Sequence, residues 1–335
     1  MEADNKLEPK TLQEAILYFS NPDNCLAYMI PLTFPGGVVT CPTCGRTDAK
    51  FLANQRRWQC KSVHPKRQFS AKVGTIFEDS PIPLEKWLPA VWMIINDKNG
   101  ISSWELHRAL GVTQKTAWFM LHRIRLAMQD EHPVKMGGGG TPVEVDETFI
   151  GGKARNMHKD KRARMAALAT SGSENMHGGR GKAIVMGMLE RGGKVQTCII
   201  PKRRKDIMQQ VIRDGVEAGS RVMTDEAHPY FGLNADYVHE IINHMEGYVR
   251  GQVSTNGIEN FWSLLKRTLG GTYVAVEPFH LFRYLDEQMF RFNNRATKDN
   301  PLNDADRFAM ALSKIVGKRL TYSELTGKDG GCEAF

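Results

Sequence analysis

Hydrophobic and polar positions alternate with two different periods along this chain, and the change of period divides it. Near the start, Leu12, Ala15, Ile16 and Phe19 recur at helical spacing, and Asn21-Pro22-Asp23 closes that segment. After Pro81 and Pro83, the apolar stretch LEKWLPAVWMIINDKNG predicts a helix in which Pro89 is awkward unless it lies near the start. Ile101 to Gly111 follows, with an N-cap candidate in Ser102 or Ser103 and apolar positions at Trp104, Leu106 and Leu110. Val112-Thr113 turns the chain, and Gln114 to Met128 resumes as a helix with Ala117, Leu121, Ile124 and Met128 along one stripe. Gly137 to Gly140 reads as a flexible joint.

Beyond the glycines the period drops to two. In PVEVDETFIGGK, Val143, Val145 and Phe149 interleave with Glu144, Asp146 and Thr148, which predicts a half-buried strand ended by Gly151-Gly152. Ala183 to Leu189 is an apolar run of strand length, Arg191-Gly192-Gly193 a turn, and Val195 to Ile200 its hairpin partner. Lys205 to Gly215 is helical, and Arg221 to Glu226 is a strand that ends in Asp225. Ser254 to Leu269 is a helix with Ile258, Phe261, Trp262, Leu265 and Leu269 turned inward, and Pro278 to Asn293 is a second long helix.

Composition narrows the class. A chain of 335 residues with 41% apolar residues can bury a real core and is expected to form two or three domains. The net charge of +8 is unevenly spread: eight Lys or Arg between Lys153 and Lys182 face only Asp160 and Glu174, so this stretch carries six of the eight net charges. Such a concentration favours a polyanionic partner. A membrane is the rival partner, but no apolar run is long enough to span a bilayer. The first residues have neither the basic start nor the apolar core of a secretory signal, so a cytosolic location is the default expectation.

Two groups of residues carry candidate chemistry. A carboxylate in mid-strand is costly to bury unless it is paired, and a divalent cation would pair with Asp146; Asp225 and Glu259 are the further acidic positions able to complete such a site. Cys41-Pro42-Thr43-Cys44 has the spacing with which two thiolates hold one tetrahedral Zn2+ from a tight turn, and Cys60 with His64 supplies a second half. Six cysteines in a chain of this length do not make a disulfide framework. The helix pair ending at Met128 is a helix-turn-helix candidate, with Gln114, Lys115 and Trp118 near the start of its second helix and Arg123 and Arg125 further along.

The succession of a CPTCG zinc ribbon, GTIFEDSPIPLEKWLPA, KTAWFMLHRIRLAM, VEVDETFIGGK, TDEAHPYF and NGIENFWSLLKR, spread from about Thr11 to Arg295, resembles the DDE-type transposases of bacterial insertion sequences that begin with a zinc ribbon. One departure is His64, which stands where a fourth cysteine is common. The resemblance implies a multidomain α+β chain: a helical segment at 1–35, a zinc ribbon at 36–78, a helix-turn-helix DNA-binding domain at 79–135, an RNase H-like mixed α/β catalytic core at 141–300 and a tail at 301–335. It implies a catalytic triad of Asp146, Asp225 and Glu259 holding two Mg2+ (or Mn2+) ions, and one structural Zn2+ on Cys41, Cys44, Cys60 and His64. Lys266, seven residues after Glu259 and hence on its helical face, and the adjoining Arg267 are implied to meet DNA, as are Gln114, Lys115 and Arg123. Both Glu259 and Asn260 stand at the third position, and the basic residue seven places on favours Glu259. Partners would be the ends of the element and target DNA, met by a homo-oligomer in the bacterial cytoplasm at the nucleoid. Two other classes stay open on the sequence: a DNA-binding regulator with an inert core, and a metal-dependent nuclease that cuts without joining.

Overall fold

The computed structural model describes residues 9–131, 133–151, 159–160, 163, 182–242, 254–298 and 300–327. These residues form two compact units, one made of those in 9–129 and 294–327, the other of those in 130–293.

The first unit opens with α1 (Leu12–Phe19), started by a reciprocal capping box between Thr11 and Glu14. Asn21-Pro22-Asp23 ends α1 as expected and also begins α2 (Pro22–Thr33), which the sequence pattern did not disclose: Asn21 caps it, and Pro22 occupies the first turn, where a missing N–H costs nothing. Three short antiparallel strands, β1 (Lys50–Leu52), β2 (Arg57–Gln59) and β3 (Gln68–Phe69), form the ribbon. Trp58 on β2 is its hydrophobic centre, with the rings of Phe34, Phe51 and Phe69 within 6.0 Å of it, centroid to centroid. Next come α3 (Leu84–Asn96), which runs through a buried Pro89, α4 (Ser103–Leu110) and α5 (Gln114–Met128). Gly111 takes the left-handed conformation that ends α4, and Thr113 caps α5.

The second unit is a five-stranded mixed sheet in the order β6-β5-β4-β7-β8, built from β4 (Val143–Ile150), β5 (Ala183–Glu190), β6 (Val195–Ile200), β7 (Arg221–Asp225) and β8 (Val238–Ile242). The first three are antiparallel neighbours; β7 and β8 run parallel to β4. Strand β8 escaped the sequence reading because its burial is slight and irregular, as befits an edge. Helix α6 (Lys205–Gly215) covers one face, where Met208 and Ile212 join Val143, Val145 and Val222. Helices α7 (Asn256–Thr268) and α8 (Leu281–Asn293) cover the other, where Ile258, Phe261, Trp262 and Leu265 join Val185 and Leu189. At about 1.5–3 kcal/mol for each large apolar side chain taken out of water, that inward stripe is what holds α7 to the sheet.

Helix α9 (Asp304–Leu312) and the short α10 (Tyr322–Leu325) belong to the first unit. Phe308 of α9 packs on Phe19 and Trp92, and Asn96 donates to the Asp304 carbonyl at 3.2 Å, so the stretch set apart in the sequence as a tail completes the core begun at the N-terminus. The glycine run is not a slack joint: Gly137 N–H donates to the Glu190 carboxylate at 3.2 Å and Gly138 N–H to the Ser220 hydroxyl at 3.1 Å, while the units divide earlier, after Gln129.

Arg123, expected at a DNA surface, lies in the interior at 5% exposure; its guanidinium donates to the carbonyls of Ile76, Glu78 and Leu320 at 2.7 to 3.1 Å. Its position on α5 faces the core stripe, so the charge is spent on chain closure. Arg123→Ala is expected to lower stability by about 3 kcal/mol, because buried carbonyls lose their donor, read as an earlier thermal transition. An unchanged melting curve with weakened DNA binding would return Arg123 to the surface.

Candidate functional site

The alternation of β4 governs the second unit's chemistry. Glu144, Asp146 and Thr148 share the face toward α7, while Glu147 points the other way, to Arg203 and the buried Tyr230 hydroxyl. Glu144 is 2% exposed. Its carboxylate accepts from the backbone N–H of Ile258 at 2.9 Å and from Arg191 Nη2 at 2.9 Å. Thr255, the N-cap of α7, makes no capping bond with its side chain, so the strand carboxylate satisfies the helix end instead.

Asp146 lies two residues further along the same face. The parallel register pairs Val143 with Val222 and Glu144 with Met223, and continuing it sets Asp146 level with Asp225, the last residue of β7. Asp225 therefore stands at the carboxyl end of β7 in the middle of the sheet, and Asp146 stands level with it in mid-strand on the neighbouring parallel β4. Asp225 Oδ1 accepts from Ala227 N–H at 3.1 Å, and Asp146 Oδ2 accepts from the Trp262 indole at 3.0 Å. Burial, together with the neighbouring Glu147 and Asp225 carboxylates, pushes the Asp146 carboxyl up to about 7. A group so placed is short of positive charge, and oxygen donors of this kind suit a hard divalent cation.

Glu259 is exposed on the first turn of α7, where its Oε1 accepts from the Thr255 hydroxyl at 3.2 Å. It precedes Trp262 by three residues, one turn along the helix, so it rises from the flank that meets Asp146. Asn260, Lys266 and Arg267 are exposed on the same helix, and Glu226 is exposed beyond β7. Sequence reasoning placed Trp262 in the core but missed its polar role; the signal available was an indole, which needs an acceptor when buried, three residues after a candidate ligand.

The first unit gathers a second donor set. One ligand atom from each of Cys41, Cys44, Cys60 and His64 lies within 4.8 Å of the others, and among the described residues this is the group of such side chains that closes to metal-binding spacing. Cys41 Sγ is 3.5 Å from His64 Nε2, and Cys44 Sγ is 3.4 Å from Cys60 Sγ, separations that fit the edges of a tetrahedron around Zn2+. His64 Nδ1 bonds the Pro65 carbonyl at 2.7 Å, which fixes the tautomer with Nε2 free toward the thiolates. Histidine in place of a fourth cysteine thus fits the site. Of the helix-turn-helix residues, Gln114 donates to Ser103 at 2.9 Å and ties α5 to α4, while Lys115 is exposed with its ammonium 4.7 Å from the Tyr322 ring. The basic stretch from Lys153 to Lys182 lies almost wholly outside the described residues.

A family model described as an ISXO2-like transposase domain matches residues 137–293, and one described as a transposase zinc-ribbon domain matches residues 20–62. An uncharacterized protein in transposable element ISH50 of Halobacterium salinarum is 28% identical over 238 residues, covering 69% of this chain and 78% of that protein. An uncharacterized transposase-like protein of Haemophilus influenzae is 33% identical over 106 residues, covering 31% of this chain and 85% of that protein. Among solved structures, a simian T-cell lymphotropic virus intasome in complex with a PP2A regulatory subunit aligns with 62% of this chain and 70% of that chain at 10% identity and a TM-score of 0.30.

Two outcomes are expected. The purified chain contains one zinc per molecule by elemental analysis, and Cys60→Ser loses it together with the ordered environment of Trp58; zinc retained in full by that variant would remove Cys60 from the ligand set. Glu144→Ala lowers stability by about 3 kcal/mol in denaturant unfolding, since it strands both Arg191 and the end of α7. A loss below about 0.5 kcal/mol, the size of a surface substitution, would show that the cap contributes little.

Proposed function

The chain belongs to the DDE-type transposases of insertion sequences that carry an N-terminal zinc ribbon, and from that premise we propose that it binds the terminal inverted repeats of its element and cuts and joins DNA strands with two divalent ions held by Asp146, Asp225 and Glu259. The observation that carries this reading is the placing of Asp146 level with Asp225 on adjacent parallel strands, beside the helix that bears Glu259. Mg2+ or Mn2+ bound there would activate the attacking oxygen and stabilise the leaving oxygen of a phosphodiester. The chain's own part is positional. Asp146 is fixed by a strand within the sheet, Asp225 by the strand end beside it, and Glu259 by a helix packed on the strand of Asp146.

Lys266 and Arg267 lie exposed two turns beyond Glu259, where they would meet phosphates flanking the reacting bond. In the other unit, the ribbon and the α4–α5 pair would recognise the element end, with Gln114 holding the two helices together and Lys115 offering a charge. Target DNA is the second substrate, and a homo-oligomer would bring two element ends together. Among the described residues no helix is long and apolar enough to cross a membrane.

The test is cleavage and joining of a duplex that ends in the element's inverted repeat, with Mg2+ or Mn2+. Wild type is expected to cut at the element end and to leave a covalent donor–target product. Asp146→Ala, Asp225→Ala and Glu259→Gln are each expected to lower cutting by about 100-fold or more while DNA binding persists. Normal cutting by Glu259→Gln would move the third ligand to Asn260 or Glu226; cutting without any joined product would leave a nuclease.

A further inference from the structure

We propose that Trp262 is a positioning residue of the carboxylate site: its indole N–H holds Asp146 and thereby ties the strand bearing the first ligand to the helix bearing the third. The proposal rests on the reading of Asp146, Asp225 and Glu259 as ion-holding groups.

Three observations converge on it. Trp262 Nε1 donates to Asp146 Oδ2 at 3.0 Å, between α7 and β4, although the two residues are 116 positions apart in sequence. Trp262 is 4% exposed and the bond is half-buried, where an indole donor and a carboxylate oxygen gain more from each other than in open water. The residue directly across the antiparallel pair from Asp146 is Gly187. A Cβ at Gly187 would stand 2.6 and 2.7 Å from Trp262 Cζ2 and Cη2 and 2.9 Å from Ile258 Cδ1, closer than carbon atoms approach. The sheet thus has a gap beside Asp146, and the six-membered ring of Trp262 fills it.

The consequence for the site is geometric. A tryptophan used only for packing could sit anywhere along the apolar stripe of α7. This one is seated against a glycine that leaves no room for a shift, and its N–H meets the carboxylate next door. Its helical position is one turn from Glu259, so the same contact fixes the rotation of α7 about its axis and with it the place from which Glu259 reaches out. Hydrogen bonds from outside the ligand set orient ligand carboxylates in metal sites, and their loss typically weakens metal binding by about 10–100-fold.

The experiment measures Mn2+ affinity directly, by the electron paramagnetic resonance of free Mn2+ in titrations of the zinc-loaded full chain, alongside cleavage as a function of Mn2+ concentration. Trp262→Phe keeps a ring in the gap and removes the donor. It is expected to weaken Mn2+ binding by about 10-fold or more, with cleavage partly restored at high Mn2+ and DNA binding intact. Should phenylalanine pack too poorly for the chain to fold, a benzothiophene in place of the indole keeps the shape without the N–H and is expected to show the same loss. Gly187→Ala, which drives the ring from its seat, is expected to match it. Unchanged Mn2+ affinity in the donorless variants would reduce Trp262 to packing and overturn the proposal. Asp146→Asn separates the two levels of argument: if it binds Mn2+ as wild type does, the carboxylate site itself falls and the proposal with it, whereas loss there beside an unchanged Trp262→Phe sinks the proposal alone.

Discussion

A buried carboxylate on β4 is the interaction on which the second unit depends. Glu144 is removed from water, and such a charge is stable only with a counter-charge and satisfied acceptor sites. Arg191, at the start of the turn between β5 and β6, supplies the charge; Ile258 N–H, at the start of α7, supplies a donor with the positive end of a helix behind it. Arg191 also donates to the Ser254 carbonyl at 2.9 Å, so the chain entering α7 is held from the same guanidinium. A strand, a hairpin turn and a helix far apart in sequence are fixed at one point. The close approach has a steric condition as well: a Cβ at Gly257 would come within 2.7 Å of Glu144 Oε2, so the helix end can reach the carboxylate only through glycine.

That anchor explains why the carboxylates two residues along the strand can be held in register. The hydrogen-bonded pairing of β4 with β7 covers Val143 and Glu144, level with the anchor, and Asp146 and Asp225 stand just past it. Strand β7 ends at Asp225 while β4 runs on to Ile150, and the anchored pairing behind sets where the two carboxylates stand relative to each other. On the reverse face Glu147 is absorbed by Arg203 and Tyr230, whose hydroxyl is pushed well above its ordinary value, first by burial and then by Glu147. The two successive acids of the strand therefore have different physical fates. One is bound into the core by a cation and a phenol; the other meets the Trp262 indole N–H, the Glu147 backbone and the repulsion of its neighbours.

Much of this was legible in the sequence because the relevant residues sit in strongly patterned elements. The bounds of α5, β6 and α6 are those the periodicity predicts, and the alternation of β4 told Asp146 from Glu147 without coordinates. The spacing of Cys41, Cys44, Cys60 and His64 pointed to the four donors that gather within 4.8 Å of one another. What stayed hidden depended on contacts between distant segments. Arg123 reads as a basic residue on a presumed recognition helix, and only the carbonyls of Ile76, Glu78 and Leu320 around it show why it is buried. The part played by residues after Asn300 was equally invisible, since a ring such as Phe308 says nothing by itself about Phe19 and Trp92. Helix α2 was lost for a local reason: a Pro that ends one helix also serves as the first residue of another, and the pattern alone marks only the break.

The two donor sets differ in a way that follows from their chemistry. In the ribbon, four donors converge from two turns, and the His64 tautomer is already set by the Pro65 carbonyl, so binding of Zn2+ needs little rearrangement beyond loss of thiol protons. Thiolates and imidazole at that spacing form a closed structural site, in which each donor faces the ion and none faces a substrate. The carboxylates are arranged otherwise: Asp146 is half-buried in mid-strand, Asp225 is half-buried at a strand end, and Glu259 stands exposed on a helix. Oxygen donors that pass from half-buried to exposed suit an ion that keeps part of its coordination for a phosphate oxygen and for water. On the proposed reading, Asp146 would be held on one side of the site by the seat that Gly187 leaves for Trp262, while Glu259 would remain where a nucleic acid backbone can approach it.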